Sequence, residues 1–156
     1  MKVLRSILAV VVGWIVSAVV MTAIHFLSVV IHLPPGENSA LEMMKRLSED
    51  SEAMKAWLNA APASAMFSVL AAWQAGAFIG GLVCALIAGR ARVLHAAIIG
   101  ILVLFGTIAN FFDMKSKYDF THPDWMIVAG LLLPIPISLV AGKLVSYFLP
   151  PPGNTP

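Results

Sequence analysis

Residues 6–36 read SILAVVVGWIVSAVVMTAIHFLSVVIHLPPG and contain no Asp, Glu, Lys or Arg. A helix needs about 20 mainly apolar residues to cross a hydrocarbon layer of ~30 Å. This stretch meets that length. Residues 56–89 and 93–112 are equally free of charge, and 125–142 nearly reach the same length. Lipid offers no partner for a bare backbone N–H or C=O, so each stretch is expected to be helical. A transmembrane β-barrel needs alternating apolar and polar residues. The runs Ile7–Gly13 and Ile98–Phe105 do not alternate.

Composition leads to the same class. Of 156 residues, 60% are hydrophobic and 12% charged, against about a quarter charged in soluble domains. The mean hydropathy is +0.90. A soluble domain this small has too little interior to hide that surface. Water-soluble globular, disordered, coiled-coil and disulfide-rich classes are excluded. The net charge of +2 is too small and scattered for a nucleic-acid partner. The partner the composition demands is a lipid bilayer.

The fold class is therefore all-α: an integral membrane four-helix bundle in a single transmembrane domain, 1–149. The expected spans are 4–32, 63–89, 93–112 and 125–149. Pro34-Pro35-Gly36 stops span one, and Pro62 suits the first turn of span two. Span one is too long for the apolar core of a cleaved signal peptide and reads as an uncleaved signal-anchor. Residues 150–156, PPPGNTP, read as a disordered tail. The loop 37–61 reads as an amphipathic helical segment. Ser39-Ala-Leu-Glu42 fits a capping box, and Leu41, Met44 and Leu47, then Met54, Trp57 and Leu58, follow at helical spacing. Such a segment either rests on the bilayer surface or acts as a lid or partner-binding helix.

Basic residues indicate the orientation. Lys2, Arg5, Arg90, Arg92 and Lys143 fall on one side; Lys45, Arg46, Lys55, Lys115 and Lys117 fall on the other. The first set sits tight against span ends and weighs more under the positive-inside rule. Both termini are expected in the cytoplasm. All the acids (Glu37, Glu42, Glu49, Asp50, Glu52, Asp113, Asp119, Asp124) then lie on the outer side.

Small residues recur every four positions, which is one helical face. Span one carries Ala9, Gly13 and Ser17. Span two carries Ala72, Gly76, Gly80, Cys84 and Ala88, beside Ala77, Gly81, Ala85 and Gly89. Span four carries Gly130, Pro134, Ser138, Gly142 and Ser146. Such faces let helices approach closely in lipid. Span two, with two such faces, is expected at the centre. The rows serve packing within one protomer, a homo-oligomer interface, or both. Pro134 and Pro136 break span four and free the carbonyls of Gly130 and Leu132. The break reads as a plain kink, with Gln74 placed to donate to a freed carbonyl, or as the lining of a transport path.

Enzyme signatures are not found. The lone Cys84 excludes an intrachain disulfide and a Cys-x-x-Cys pair. Nucleophile elbow, phosphate loop and His-Glu-x-x-His patterns are missing. No catalytic residue and no cofactor is called for. One constellation stands out at the outer membrane level: His25 and His32 on one face of span one, Asn110 and Asp113 at the end of span three, and His122 with Asp124 at the entry of span four. His with carboxylate can hold zinc, and nearby Met residues can favour Cu(I). The same groups can instead hydrogen-bond three helix ends together, so a metal is left open.

Three stretches together resemble a group of small uncharacterised bacterial four-span inner-membrane proteins. They are Ala72-Trp-Gln-Ala-Gly-Ala-Phe-Ile-Gly-Gly81 running to Ala88-Gly-Arg90, then Ile108-Ala-Asn110, then His122-Pro-Asp-Trp125. The resemblance implies a bacterial inner membrane and carries no activity with it. The functional expectation is a non-enzymatic structural or accessory membrane protein, as a homo-oligomer or with a membrane-protein partner. The alternatives are a transporter or channel subunit with a path near the break in span four, and a metal-handling or enzymatic site in the outer polar cluster.

Overall fold

The computed structural model describes residues 2–33 and 39–149, and those residues form helices and connecting turns with no strand. The Pro34-Pro35-Gly36 stop and the tail 150–156 lie outside the described residues. The helices are α1 (Lys2–Ile31), α2 (Ala40–Glu49), α3 (Ser51–Ala60), α4 (Ala63–Ala88), α5 (Arg92–Tyr118), α6 (Asp124–Leu132) and α7 (Pro134–Phe148). Four segments are long and apolar enough to cross a membrane: α1, α4, α5, and α6 with α7 taken together. The chain is a multi-pass membrane protein of the all-α class.

Helix α4 touches α1, α5, α6 and α7, and its contact with α1 is the most extensive among the described residues. That seam is set by missing side chains. A Cβ on Gly80 would lie 2.7 Å from the Gly13 carbonyl oxygen and 2.7 Å from the Ser17 Cβ. One on Gly13 would lie 2.7 Å from the Cys84 Cβ, and one on Gly76 would lie 2.6 Å from Met21 Cγ. Position on α1 rises by four as position on α4 falls by four, so the antiparallel register is kept along the seam. Ala9 and Ala88, both buried, continue it. The second seam joins α7 to α4 and α5. Gly81 faces the Ser138 Cβ at 3.3 Å, and Gly142 faces the Ala96 Cβ at 2.8 Å. Gly130 packs among Trp73, Thr107 and Phe111. Gly100, absent from the expected packing set, sits against Ser138 and the Pro134 carbonyl.

Span three differs from the expectation. It continues beyond Phe112 to Tyr118, because the charges there pair along the helix itself. Lys117 Nζ lies 2.8 Å from Asp113, and Lys115 Nζ lies 2.6 Å from Asp119, each an i,i+4 pair that supports a solvated helix end. Asp119 then caps the helix in a left-handed conformation, φ 50°. The Lys115 hydrogen bond holds the Asp119 carboxyl below its usual range.

Span four breaks at Leu133, which separates α6 from α7. Both prolines fall in the first turn of α7, where helical N–H groups have no intrahelical acceptor in any case. The expected donor from Gln74 is not used: both of its amide atoms are buried without a partner. The chain spans the break itself, through Leu133 N–H to Ala129 O and Ile137 N–H to Leu133 O. Ser138 Oγ donates to Ile135 O at 2.8 Å.

The loop segment is helical, with a corrected face. Glu42 N–H donates to Ser39 Oγ at 3.1 Å, and Asp50 caps α3 by accepting from Glu52 and Ala53 N–H. Met43 and Leu47 are buried, with Ala40 one turn before Met43, whereas Leu41 is 71% exposed and Met44 38%. Ala40, Met43 and Leu47 share one face at i, i+3 and i+7, and that face, not the Leu41–Met44 row, is turned to the bundle.

Replacing Gly80 with Ala is expected to destabilise the bundle by about 1–3 kcal/mol, because backbone blocks the added methyl. Gly106 has nothing within 4 Å of its Cβ position. Gly106→Ala should be neutral or stabilise by up to about 1 kcal/mol through helix propensity. Thermal unfolding of both variants in detergent measures the contrast.

Candidate functional site

The bundle has two chemically distinct ends. Arg5 lies against Gly89 and Arg92 against Val145, so the start of α1, the α4–α5 turn and the end of α7 share one end. The opposite, mixed-charge end gathers α2, α3, the end of α5 and the start of α6.

A cavity of about 190 Å³ lies at the mixed-charge end. Helix α1 contributes His25, Ser28 and Val29 to its lining, and α4 contributes Ala65, Met66 and Val69. Asn110 and Met114 come from α5, and His122 from the turn before α6. Met54, Trp57 and Leu58 of α3 complete the lining. The lining is mainly apolar, with a few polar groups converging on it. The Nε2 atom of His25 is buried and has no hydrogen-bond partner.

His122 is held by rings. Its centroid lies 4.8 Å from Phe111, 5.1 Å from Phe120 and 6.3 Å from Trp73. Burial pushes its pKa below the ordinary histidine value. Beside it, Phe67 stacks on Trp125 with centroids 4.4 Å apart, tying the start of α4 to the start of α6.

Of the six residues expected to cluster, the structure brings three to this cavity: His25, Asn110 and His122. The other three are engaged elsewhere. His32 donates from Nδ1 to Ser28 O at 2.8 Å and accepts at Nε2 from Ser64 Oγ at 2.9 Å. It therefore staples α1 to α4. Asp113 pairs with Lys117. Asp124 is exposed in the first turn of α6, where a negative charge suits the helix dipole. Among the described residues, no three His, Cys, Asp or Glu side chains come together as a metal site. The expected His–carboxylate set disperses because each carboxylate has a nearer partner or solvent. Three methionines, Met54, Met66 and Met114, do line the cavity.

Part of the wall has no signature in the sequence: Ala65 and Val69 carry no chemical signal, and the rings around His122 come from α4, α5 and the turn before α6. Met54, Met66 and Met114 belong to the methionines expected at this level, and Met54, Trp57 and Leu58 to the amphipathic repeat. Within the spans, Ser17 Oγ and Thr107 Oγ1 are buried without partners, like the Gln74 amide.

Comparison with protein-family models, with curated proteins and with solved structures finds no match to this chain.

The lowered pKa of His122 sets a pH dependence. The unfolded chain binds a proton at the ordinary value of about 6.5, where the folded chain does not. Stability contributed by His122 is therefore complete above that pH and falls as pH drops through the window below it. The thermal midpoint should fall between about pH 8 and pH 5 by more in the parent than in His122→Phe. Equal pH slopes in the two proteins would refute the assignment.

Proposed function

We propose that this chain is a non-enzymatic accessory membrane protein that shelters a small lipophilic molecule at its mixed-charge end. The observation that carries this reading is the mainly apolar cavity against α3, with His25, Asn110 and His122 among its lining residues. An apolar cavity of about 150 Å³ is enough to take up benzene, so about 190 Å³ suits a single ring or a short branched chain. The few polar groups suit one hydrogen-bonding oxygen on an otherwise apolar body, the usual balance in small-molecule sites. Trp57 supplies an aromatic wall, and the three methionines supply adaptable, polarisable contact.

The reading favours a self-contained protomer over a homo-oligomer. Gly13, Gly76, Gly80, Gly81, Gly130 and Gly142 all face atoms of the same chain, and Ala72 is fully buried within it. Their close-approach surface is spent inside the bundle. In keeping with the small four-span proteins whose motifs it resembles, we place the chain in a bacterial inner membrane with the basic end cytoplasmic.

A phenol bearing a photoreactive diazirine should crosslink to residues of α3, α4 and the end of α5, as mapped by mass spectrometry. Unlabelled phenol should compete, and Ala65→Leu, which fills the cavity, should reduce labelling at least several-fold. Labelling spread over the lipid-facing side of α1 and unchanged in Ala65→Leu would refute the reading. For the orientation, Ala91→Cys should react with a membrane-impermeant maleimide only after the cytoplasmic side is opened, and Ser51→Cys before it. The native Cys84 is buried and should stay silent.

A further inference from the structure

The basic end has its own cleft, separate from the cavity under α3. Arg5 and Ser6 of α1, Arg90 and Ala91 of the α4–α5 turn, and His95 of α5 line a space of about 420 Å³, closed by Ala88 and Gly89. The cationic groups are arranged by the backbone. Arg5 Nε donates to Ile87 O at 2.5 Å, which satisfies a terminal carbonyl of α4 and fixes the guanidinium. Gly89 permits this twice over. Its φ is +72°, and a Cβ there would meet the Arg5 guanidinium at 2.5 Å. His95 donates from Nδ1 to Ala91 O at 3.0 Å, leaving Nε2 as the ring nitrogen for any ligand. Arg90 is exposed at the turn.

Among the described residues, no carboxylate pairs with these charges. Every Asp and Glu of the sequence falls between Glu37 and Glu52 or between Asp113 and Asp124, and the described ones lie at the other end of the spans. The cationic groups are flanked by apolar side chains that the bundle leaves open: Leu4 is 70% exposed, Leu8 52% and Leu94 62%. A ligand that satisfies both features has an anionic phosphate and hydrocarbon chains on the same molecule.

We propose that this cleft binds the phosphate headgroup of an anionic phospholipid, with the acyl chains lying over Leu4, Leu8 and Leu94. The Arg5 fork and Arg90 meet the phosphate oxygens, for which guanidinium geometry is suited. Ser6 Oγ donates a further hydrogen bond to the phosphate, and His95 Nε2, its Nδ1 being engaged with Ala91 O, accepts one from a headgroup hydroxyl. The site is independent of the cavity under α3.

The test uses the full chain in nanodiscs of phosphatidylcholine, with or without phosphatidylglycerol, and counts retained lipids by native mass spectrometry. Retention of phosphatidylglycerol over phosphatidylcholine is expected. Arg90→Gln should weaken it roughly fivefold, the factor that corresponds to about 1 kcal/mol per basic residue at a membrane surface. Lys143→Gln, a basic residue at the same end but outside the cleft, should leave retention unchanged. Thermal midpoints in pure phosphatidylcholine should match among the three proteins, and His95→Gln serves as a second cleft variant if Arg90→Gln fails to fold. Equal retention of the two lipids would overturn the proposal. So would an equal loss in Lys143→Gln, which would show diffuse surface charge. Displacement of the lipid by inorganic phosphate as readily as by soluble phosphatidylglycerol would reassign the cleft to free phosphate and overturn the lipid assignment.

Discussion

At Gly13 and Gly80 two backbones come into contact, and the remaining helices are placed by that approach. In lipid the solvent is as apolar as leucine, so burying more leucine gives helices little reason to associate. Dispersion between close surfaces and interhelical polar contacts must supply the attraction. The α1–α4 seam obtains the first by removing side chains wherever the helices meet. Larger residues are turned outward: Leu8, Val11 and Ile15 on α1 are exposed to the surroundings. The usual soluble order is thus inverted, with small residues inside and large apolar ones outside.

Once α1 and α4 are fixed, the break in α6–α7 has a reason. The Pro134 carbonyl and Ser138 side chain meet Gly100, and Gly81 meets Ser138, so α7 is pressed between α4 and α5. Helix α6 instead sits by Trp73, Thr107 and Phe111 through Gly130. A bend at Leu133 lets one span satisfy both, and prolines in the first turn of α7 make the bend cheap. At the far end the bundle spreads enough to leave the cavity that α3 covers. The His32–Ser64 hydrogen bond and the Phe67–Trp125 stack, rather than more glycine, hold that end together.

Much of this was legible in the sequence, and for physical reasons. Charge exclusion from hydrocarbon marks the spans, and a four-residue spacing of small groups marks which faces approach. Three features were harder to read. Span three runs on to Tyr118 because Asp113–Lys117 and Lys115–Asp119 neutralise each other along the helix, so charge alone did not mark its end. Gly100 follows Ala96 by four residues, a signal present but weaker than the longer rows on α4. The cavity was only half visible: His25, Asn110 and His122 advertise chemistry, whereas Ala65 and Val69 matter by shape, which has no signature in residue type. His32 shows the reverse error. Its seven-residue spacing from His25 put it on the right face, yet Ser64, from another span, took its free nitrogen.

The two ends follow different rules for buried polarity. At the basic end, two arginines are anchored by backbone carbonyls: Arg5 on Ile87 and Arg92 on Val145. Such contacts fix geometry without neutralising charge, so the field of the end is preserved. At the mixed-charge end, Lys115 and Lys117 pair with Asp119 and Asp113, His122 is enclosed by rings and His32 is bonded to serines. An end whose charges are held in place but left unneutralised attracts anions from the surroundings. At the other end Lys115 and Lys117 are ion-paired and the cavity lining is mainly apolar, a setting that suits neutral molecules. That division of chemistry along one short bundle separates the two binding assignments from each other.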